Sequence, residues 1–394
     1  MPDLAPLHGG PDALGVPRHD FSTNANACGP CPQALAALAQ ADRRHYPDPA
    51  YTALSAQLAA FHGVAAGRVV IAASASEFIH RISMFAARSG LRHAVLPAHG
   101  YGDYARAASS WGLAVVEAAS APALHWACEP ASPLGTADAA LAAWAQILTH
   151  SPSVGGRGPG APASCRHFNA SIAGPHPIPP PERGGEIPPF GKGPDASKRG
   201  VHTQLRLVAH EAPDGLRVLD CAYAPLRLDG LATALPAGVW QLWSPNKALG
   251  LTGVRAAYAI APAAALADGS VAALQALAPS WPVGADGVAL LTAWVQADTQ
   301  AWLAGTLATL RDWKAAQLRL CADMGWAVLP GSLANFFTAR PPVQDLPALL
   351  QALRAQGIKL RDCASFGLPG HVRLGVLAPE AQQALALSWR QFAP

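Results

Sequence analysis

Lys247 has the chemical setting of a reactive amine. It lies between Ser244 and Arg255, and its nearer neighbours along the chain are mostly apolar or glycine. Removing a lysine from water lowers its pKa and favours the nucleophilic form, which attacks carbonyl groups. A serine hydroxyl and the planar fork of an arginine are suited to binding a phosphate. The stretch therefore fits an amine beside a phosphate, although a solvated lysine and arginine on a surface loop would give the same pattern.

An aspartate upstream favours the first interpretation. The stretch from Leu216 predicts a short buried strand that ends at Asp220 and is followed by Tyr223. A strand-end aspartate and a later lysine are what pyridoxal 5'-phosphate (PLP) requires, because the carboxylate keeps the pyridine nitrogen protonated and the lysine carries the aldehyde. We therefore predict PLP as the cofactor and assign Lys247 and Asp220 as catalytic residues.

At these residues the chain resembles the fold-type I PLP-dependent enzymes, in the branch that contains histidinol-phosphate aminotransferase and threonine-phosphate decarboxylase. The resemblance implies an α/β fold with a doubly wound, mostly parallel sheet in a large domain and a smaller α+β C-terminal domain. We place an N-terminal arm that packs with the small domain at 1–44, the large domain at 45–265 and the small domain at 266–394. The resemblance also implies that Tyr223 is a catalytic residue that hydrogen-bonds the phenolic oxygen of PLP, and that Ser244 and Arg255 bind its phosphate.

Composition points to a soluble enzyme. The chain has 394 residues, of which 51% are hydrophobic and 13% charged, enough for a large core. The net charge of +3 is small and no basic run is present, which argues against a nucleic-acid partner. The sequence has no signal-peptide pattern and no apolar run of membrane-spanning length. Seven scattered cysteines are typical of reduced thiols, so we predict a cytoplasmic protein with no metal site.

Two segments after predicted strands could contact the cofactor. Small residues lead from a strand near Val69 into a helix, and the free N–H groups at such a helix start bind phosphate, here at Ala75 and Ser76. Ser74 and Glu77 also form an ordinary capping box, which is a purely structural alternative. By resemblance Tyr101 would stack on the cofactor ring. We expect Tyr104 to serve helix packing.

The N-terminal region contributes three further candidates by resemblance. His8, in His8-Gly-Gly10, and Asn26, in an Asn-x-Asn arm, match substrate-binding positions. Tyr46 matches a tyrosine that reaches the cofactor phosphate of the opposite subunit, which implies a homodimer. The Cys28-Gly-Pro-Cys31 segment is typical of redox motifs, but turn formers and not a strand precede it, so we do not assign it a redox role.

The segment Leu124–Gly135 resembles the family's Cys-Asn-Pro-Asn-Asn-Pro-Thr-Gly stretch with its asparagines changed. Glu129, Ala131 and Ser132 stand at those positions. The asparagine at position 132 donates to the phenolic oxygen of PLP in the family. Serine is shorter but also donates, so we keep Ser132 as a cofactor-binding candidate.

A Pro/Gly-rich insert interrupts the large domain. Residues 151–200 contain 10 glycines and 11 prolines and lack apolar periodicity. Such a composition cannot bury enough surface to offset chain entropy, so we predict that this segment is disordered.

A second stretch near the C-terminus carries the branch resemblance. Arg361-Asp-Cys-Ala-Ser-Phe-Gly-Leu-Pro369 resembles the threonine-phosphate decarboxylases of cobalamin biosynthesis, and Arg373 matches the arginine that binds the substrate carboxylate. The resemblance implies decarboxylation of a phosphorylated amino acid, L-threonine O-3-phosphate, to (R)-1-amino-2-propanol O-2-phosphate. A histidinol-phosphate aminotransferase and a descendant that has lost activity are the alternatives.

Overall fold

The computed structural model describes residues 9–149 and 215–392, which all belong to one compact unit. His8 and the Pro/Gly-rich segment 151–200 lie outside the described residues, so the predictions made for them stay predictions. The domain boundaries at 45 and 265 also stay predictions.

Strands and helices alternate through most of the chain. The described strands are β1 (His19–Asp20), β2 (Val69–Ala72), β3 (His93–Val95), β4 (Ala114–Val116), β5 (Leu124–Cys128), β6 (Leu216–Asp220), β7 (Trp240–Trp243), β8 (Ala257–Ile260), β9 (Ala327–Val328), β10 (Phe336–Arg340), β11 (Ile358–Lys359), β12 (Arg361–Asp362) and β13 (Val372–Gly375). The described helices are α1 (Pro32–Ala39), α2 (Thr52–His62), α3 (Ala75–Arg88), α4 (Gly102–Ser110), α5 (Ala139–Thr149), α6 (Ala264–Ala267), α7 (Ser270–Gln275), α8 (Ala285–Trp294), α9 (Ala297–Asp323), α10 (Leu346–Ala355) and α11 (Pro379–Trp389).

Seven strands form the large sheet, in the order β2-β8-β7-β6-β5-β3-β4. Neighbouring strands are parallel except where β8 pairs antiparallel with β2 and with β7. The predicted α/β class with a mostly parallel sheet is confirmed. Helices cover both faces of the sheet. Residues of α2 and α8 share one buried apolar cluster with Val69 and Ile71 of β2, and residues of α3 and α4 share another with Val70 and Ala72. Ligands of open α/β sheets bind outside the carboxyl ends of the strands.

Pairing register brings three chain segments together at that edge. Cys128 at the end of β5 pairs with Asp220 at the end of β6, and Asp220 pairs with Leu242 of β7. Lys247 follows β7 within a turn. Asp220 and Lys247 therefore lie at the ends of adjacent strands, at the same edge of the sheet.

The C-terminal residues form a second, antiparallel sheet of four strands in the order β12-β13-β10-β9. In it Arg361 of β12 is the direct register partner of Arg373 of β13. A short parallel pair of β1 and β11 ties the N-terminal segment to this part of the chain. Packing of the small sheet against α10 and α11 buries an apolar cluster around Phe337, Leu353 and Leu385.

None of the helices within the described ranges is long and apolar enough to cross a membrane. In the same ranges no group of three or more His, Cys, Asp or Glu side chains is arranged to hold a metal ion.

Candidate active site

Most of the predicted site residues line one cavity of about 440 Å³. Those brought together there are Ala75, Ser76, Tyr101, Ser132, Asp220, Tyr223, Ser244, Lys247, Arg255, Arg361 and Arg373. Residues that the sequence analysis did not assign to the site also line the cavity, among them Ser22, Asn24, Tyr104, Arg106, Cys128, Ser365 and Phe366.

Lys247 is half-buried, and its Nζ lies 5.3 Å from the centroid of the Tyr223 ring. No ion pair formed by residues 9–149 and 215–392 includes this lysine. Ser244 Oγ is buried and has no hydrogen-bond partner among the described residues. A hydroxyl without a partner at such a place fits a ligand acceptor group. Of the two residues in the solvated-loop alternative, Lys247 is half-buried in the cavity wall and Arg255 is exposed at the cavity rim.

Asp220 is buried and uses both carboxylate oxygens in hydrogen bonds. Oδ1 accepts from the N–H of Ala222 at 2.9 Å, and Oδ2 accepts from the Tyr104 hydroxyl at 2.7 Å. Burial raises the pKa of Asp220, while these two hydrogen bonds and the charge of Lys247 act in the opposite direction. Tyr104, predicted only to pack its helix, is buried in the core and also contacts a predicted catalytic residue.

The start of α3 has the arrangement expected for an anion site. Ser74 Oγ accepts from the N–H of Glu77 at 3.1 Å, so the capping box is present. The first N–H groups of a helix have no partner within the helix, and they lie here at the cavity residues Ala75 and Ser76. Ser76 Oγ is also 3.4 Å from the Tyr101 hydroxyl. Capping and anion binding are thus compatible in this turn.

Arg361 and Arg373 bring two positive charges side by side into the cavity. Each residue is 6% exposed, and their guanidinium carbons lie 4.8 Å and 5.7 Å from the Phe366 ring centroid. Burial and the neighbouring charge of Arg373 lower the pKa of Arg361. Neither guanidinium has a carboxylate partner within the described part of the chain. Like charges opposite each other are destabilising, so an anion is the natural occupant between them.

Hydroxyl and carbonyl oxygens hold the two arginines in place. Arg361 donates to Ser365 Oγ at 2.7 Å and to the Asp362 carbonyl at 2.6 Å. Arg373 donates to Ser132 Oγ at 2.9 Å and to the Ser22 carbonyl at 2.8 Å. The Nε of Arg373 is buried without a partner among the described residues, so it remains free to donate to a ligand.

The altered segment after β5 contains a buried ion pair. Glu129 is 3% exposed and pairs with Arg227, and its Oε2 accepts from the N–H of Asp138 at 2.6 Å. Asp138 in turn accepts from the N–H of Cys128 at 2.9 Å. This network holds the segment that carries Ser132. Glu129, which stands where the resemblance has an asparagine, therefore has a structural role in this chain.

The two asparagines of the N-terminal arm have different roles. Asn26 does not line the cavity: its side-chain amide donates to the Ala248 carbonyl at 3.2 Å and to Thr306 Oγ1 at 2.8 Å, which supports the backbone next to Lys247. Asn24 does line the cavity, is 1% exposed, and has no partner for its side-chain atoms among the described residues. The geometry thus favours Asn24 over Asn26 as the ligand contact.

Tyr46 does not line the cavity of its own chain. It is 78% exposed and stacks on Trp281 with ring centroids 4.5 Å apart, at a surface depression that Arg255 also lines. Its predicted contact with the cofactor needs a second copy of the chain and stays a prediction.

The Cys28–Cys31 segment shows no sign of an activated thiol. Burial raises the pKa of Cys28, which is opposite to the shift that activates redox cysteines. Cys31 is buried and precedes α1.

The cavity fits PLP. Its wall offers an amine at Lys247, a buried carboxylate at Asp220, an unpartnered hydroxyl at Ser244 and a helix start at Ala75. These groups match the aldehyde, the pyridine nitrogen and the phosphate of that cofactor.

Comparisons with known proteins agree with this architecture. A family model for aminotransferase class I and II matches residues 218–386. The chain is 27% identical over 362 residues to a histidinol-phosphate aminotransferase from Halorubrum lacusprofundi, covering 90% of this chain and 83% of the relative.

Two solved structures share the fold at low sequence identity. The L-threonine-O-3-phosphate decarboxylase from Porphyromonas gingivalis superposes with a TM-score of 0.67 at 17% identity, covering 94% of this chain and 98% of the other. A histidinol-phosphate aminotransferase from Sinorhizobium meliloti, in complex with PLP, superposes with a TM-score of 0.65 at 19% identity, covering 94% and 90%. The chain therefore has the class I and II aminotransferase fold with a pyridoxal 5'-phosphate site.

Proposed function

We propose that the protein is a PLP-dependent decarboxylase that converts L-threonine O-3-phosphate to (R)-1-amino-2-propanol O-2-phosphate, the aminopropanol precursor of cobalamin. The observation that carries the proposal is the register pairing of Arg361 with Arg373. Two buried guanidinium groups without carboxylate partners among the described residues suit a substrate with two anionic groups, here a carboxylate and a phosphate.

The cofactor-binding roles follow from the cavity. Lys247 would hold the aldehyde, Asp220 the pyridine nitrogen and Tyr223 the phenolic oxygen. The phosphate would be held by Ser244, Arg255 and the start of α3, with Tyr46 reaching it from a second copy in a homodimer. When bound, PLP withdraws electrons from the bonds at the substrate Cα, and the bond perpendicular to its ring breaks most easily.

The positions of Arg361 and Arg373 determine which bond at the substrate Cα breaks. They anchor the substrate carboxylate and phosphate, so their positions fix the rotation of the substrate about Cα. In the proposed reaction the Cα–carboxylate bond breaks, CO2 leaves, and a proton takes its place on Cα. Lys247 Nζ, which lies in the cavity, is the group we assign to deliver that proton.

The decisive test uses L-threonine O-3-phosphate and no keto acid. We expect CO2 release with repeated turnover. Arg361→Ala or Arg373→Ala should lower kcat/KM by an amount equivalent to about 1.5–3 kcal/mol of transition-state stabilisation, because a charge-assisted contact disappears. Arg340, at the exposed end of β10, provides a matched control: Arg340→Ala should keep wild-type kinetics.

A histidinol-phosphate aminotransferase is the second candidate, favoured by the 27% identity to the Halorubrum lacusprofundi relative. Amino transfer from histidinol phosphate to 2-oxoglutarate, without CO2 release from threonine phosphate, would replace the decarboxylase assignment. Inactivity with both substrates while PLP is bound would instead favour a descendant that has lost activity.

A further inference from the structure

Among the described residues, Tyr104 is the side chain that donates a hydrogen bond to the Asp220 carboxylate, through its hydroxyl. Its oxygen lies 2.7 Å from Oδ2, and both residues are buried. The remaining oxygen of Asp220 is held by the backbone N–H of Ala222. The plane of the carboxylate is thus fixed by one backbone donor and one side-chain donor.

Tyr104 is itself held rigidly. Its ring stacks on Trp126 of β5 with centroids 4.5 Å apart and an interplanar angle of 17°, and it contacts Tyr101 edge-on at 5.8 Å. Burial raises the pKa of Tyr104, so the phenol keeps its proton and acts as a donor. A rigid neutral donor holds an anion in one orientation without adding charge.

The other ionisable neighbours of Asp220 differ from Tyr104. The Lys247 charge favours the carboxylate form, but this amine is the group assigned to the cofactor aldehyde. Burial raises the pKa of the Cys128 and Cys221 thiols, which therefore stay neutral. Once Lys247 is engaged, Tyr104 is the remaining side chain that opposes the effect of burial on Asp220.

We propose that Tyr104 is a positioning residue that keeps Asp220 ionised and aligned, and that it thereby determines whether the pyridine nitrogen of PLP is protonated. The inference rests on the proposed role of Asp220 but not on which substrate reacts. Without the hydroxyl, the buried carboxylate would retain one backbone donor, and the proton shared with the pyridine nitrogen would move toward Asp220.

The test is ¹⁵N NMR of protein loaded with PLP labelled at the ring nitrogen, for wild type, Tyr104→Phe and Tyr258→Phe. Tyr258 is the matched control because it is equally buried and loses comparable hydrogen bonds, to His62 and Trp294, outside the cavity. We expect Tyr104→Phe to move the signal from the protonated toward the neutral position and to lower kcat at least about tenfold. Tyr258→Phe should leave the signal in place.

Incorporation of 3-fluorotyrosine at position 104 keeps the ring and the hydroxyl, and it tests the inference even if Tyr104→Phe folds poorly. Its more acidic hydroxyl is a stronger donor, so the nitrogen should stay protonated. An unchanged nitrogen signal in Tyr104→Phe, or equal shifts in Tyr104→Phe and Tyr258→Phe, would overturn the inference. A neutral nitrogen in the wild-type protein would overturn the role of Asp220 as well.

Discussion

Ser132 Oγ accepts a hydrogen bond from Nη1 of Arg373 at 2.9 Å. The sequence resemblance assigns position 132 to the cofactor, yet the hydroxyl found there supports the arginine assigned to the substrate. The serine hydroxyl lies one bond closer to the backbone than the side-chain amide of an asparagine, and a hydroxyl can accept from one partner while it donates to another. If both assignments hold, position 132 connects the cofactor-binding part of the cavity with the substrate-binding part.

Replacing Ser132 with Ala should weaken substrate binding more than cofactor binding. Arg373 would lose one neutral acceptor, and we expect a cost of about 0.5–1.5 kcal/mol, seen as a higher KM. Steady-state kinetics and a PLP titration of the same variant separate the two effects. Ser388→Ala, at a buried serine that does not line the cavity, is the control. A variant whose PLP affinity falls while KM stays constant would assign the hydroxyl to the cofactor instead.

Borohydride reduction of the PLP-loaded protein should place a pyridoxyl group on Lys247 alone. Lys314 and Lys359 pair with Asp229 and Asp12, so their amines are engaged elsewhere. Peptide mass mapping identifies the modified residue. Lys247→Ala should show no adduct, and a pyridoxyl group on any other lysine would contradict the assignment of the cofactor amine.

Breaking the Glu129–Arg227 pair from one side should be strongly destabilising. Arg227→Met would leave a carboxylate that is 3% exposed without its cation, at a cost of about 3–5 kcal/mol in the free energy of unfolding. Urea denaturation measures this loss. The double variant Glu129→Gln/Arg227→Met removes the uncompensated charge and should recover part of it. Equal stability of the single and double variants would show that the buried charge is not the cause.

His62 should make the protein less stable in mild acid. Burial lowers the pKa of His62 to about 4, from about 6.5 for an unperturbed histidine. Between these two values the unfolded chain binds a proton that the folded chain does not, so stability is complete above pH 6.5 and falls as the pH drops toward 4. The slope from this residue is at most about 1.4 kcal/mol per pH unit.

Denaturant midpoints of wild type and His62→Gln, measured between pH 4 and 8, isolate that contribution. Glutamine can still hydrogen-bond the Tyr258 hydroxyl, which lies 2.8 Å from Nε2 of His62, but it does not titrate. The difference in stability between the two proteins should stay constant above pH 6.5 and shrink below it. Parallel curves over the whole range would exclude His62 as the source.

Local sequence was sufficient for much of the fold. The predicted strand that ends at Asp220, the turn that carries Lys247 and the capping box of Ser74 and Glu77 are all present. Each depends on neighbouring residues along the chain: apolar runs make buried strands, and a serine before a helix satisfies a free N–H group. These features agree with the α/β fold that the family resemblance implies, and they put Asp220 and Lys247 at one edge of the sheet.

The tertiary structure decided what depends on contacts between distant segments. Register between β12 and β13 sets Arg361 opposite Arg373, and packing of α4 against the sheet brings Tyr104 to Asp220. The path of the arm turns Asn24 and not Asn26 into the cavity. Spacing along the chain cannot specify such partners. Tyr104 and Asp220 are 116 residues apart in the sequence, and their hydrogen bond forms only when the sheet has assembled.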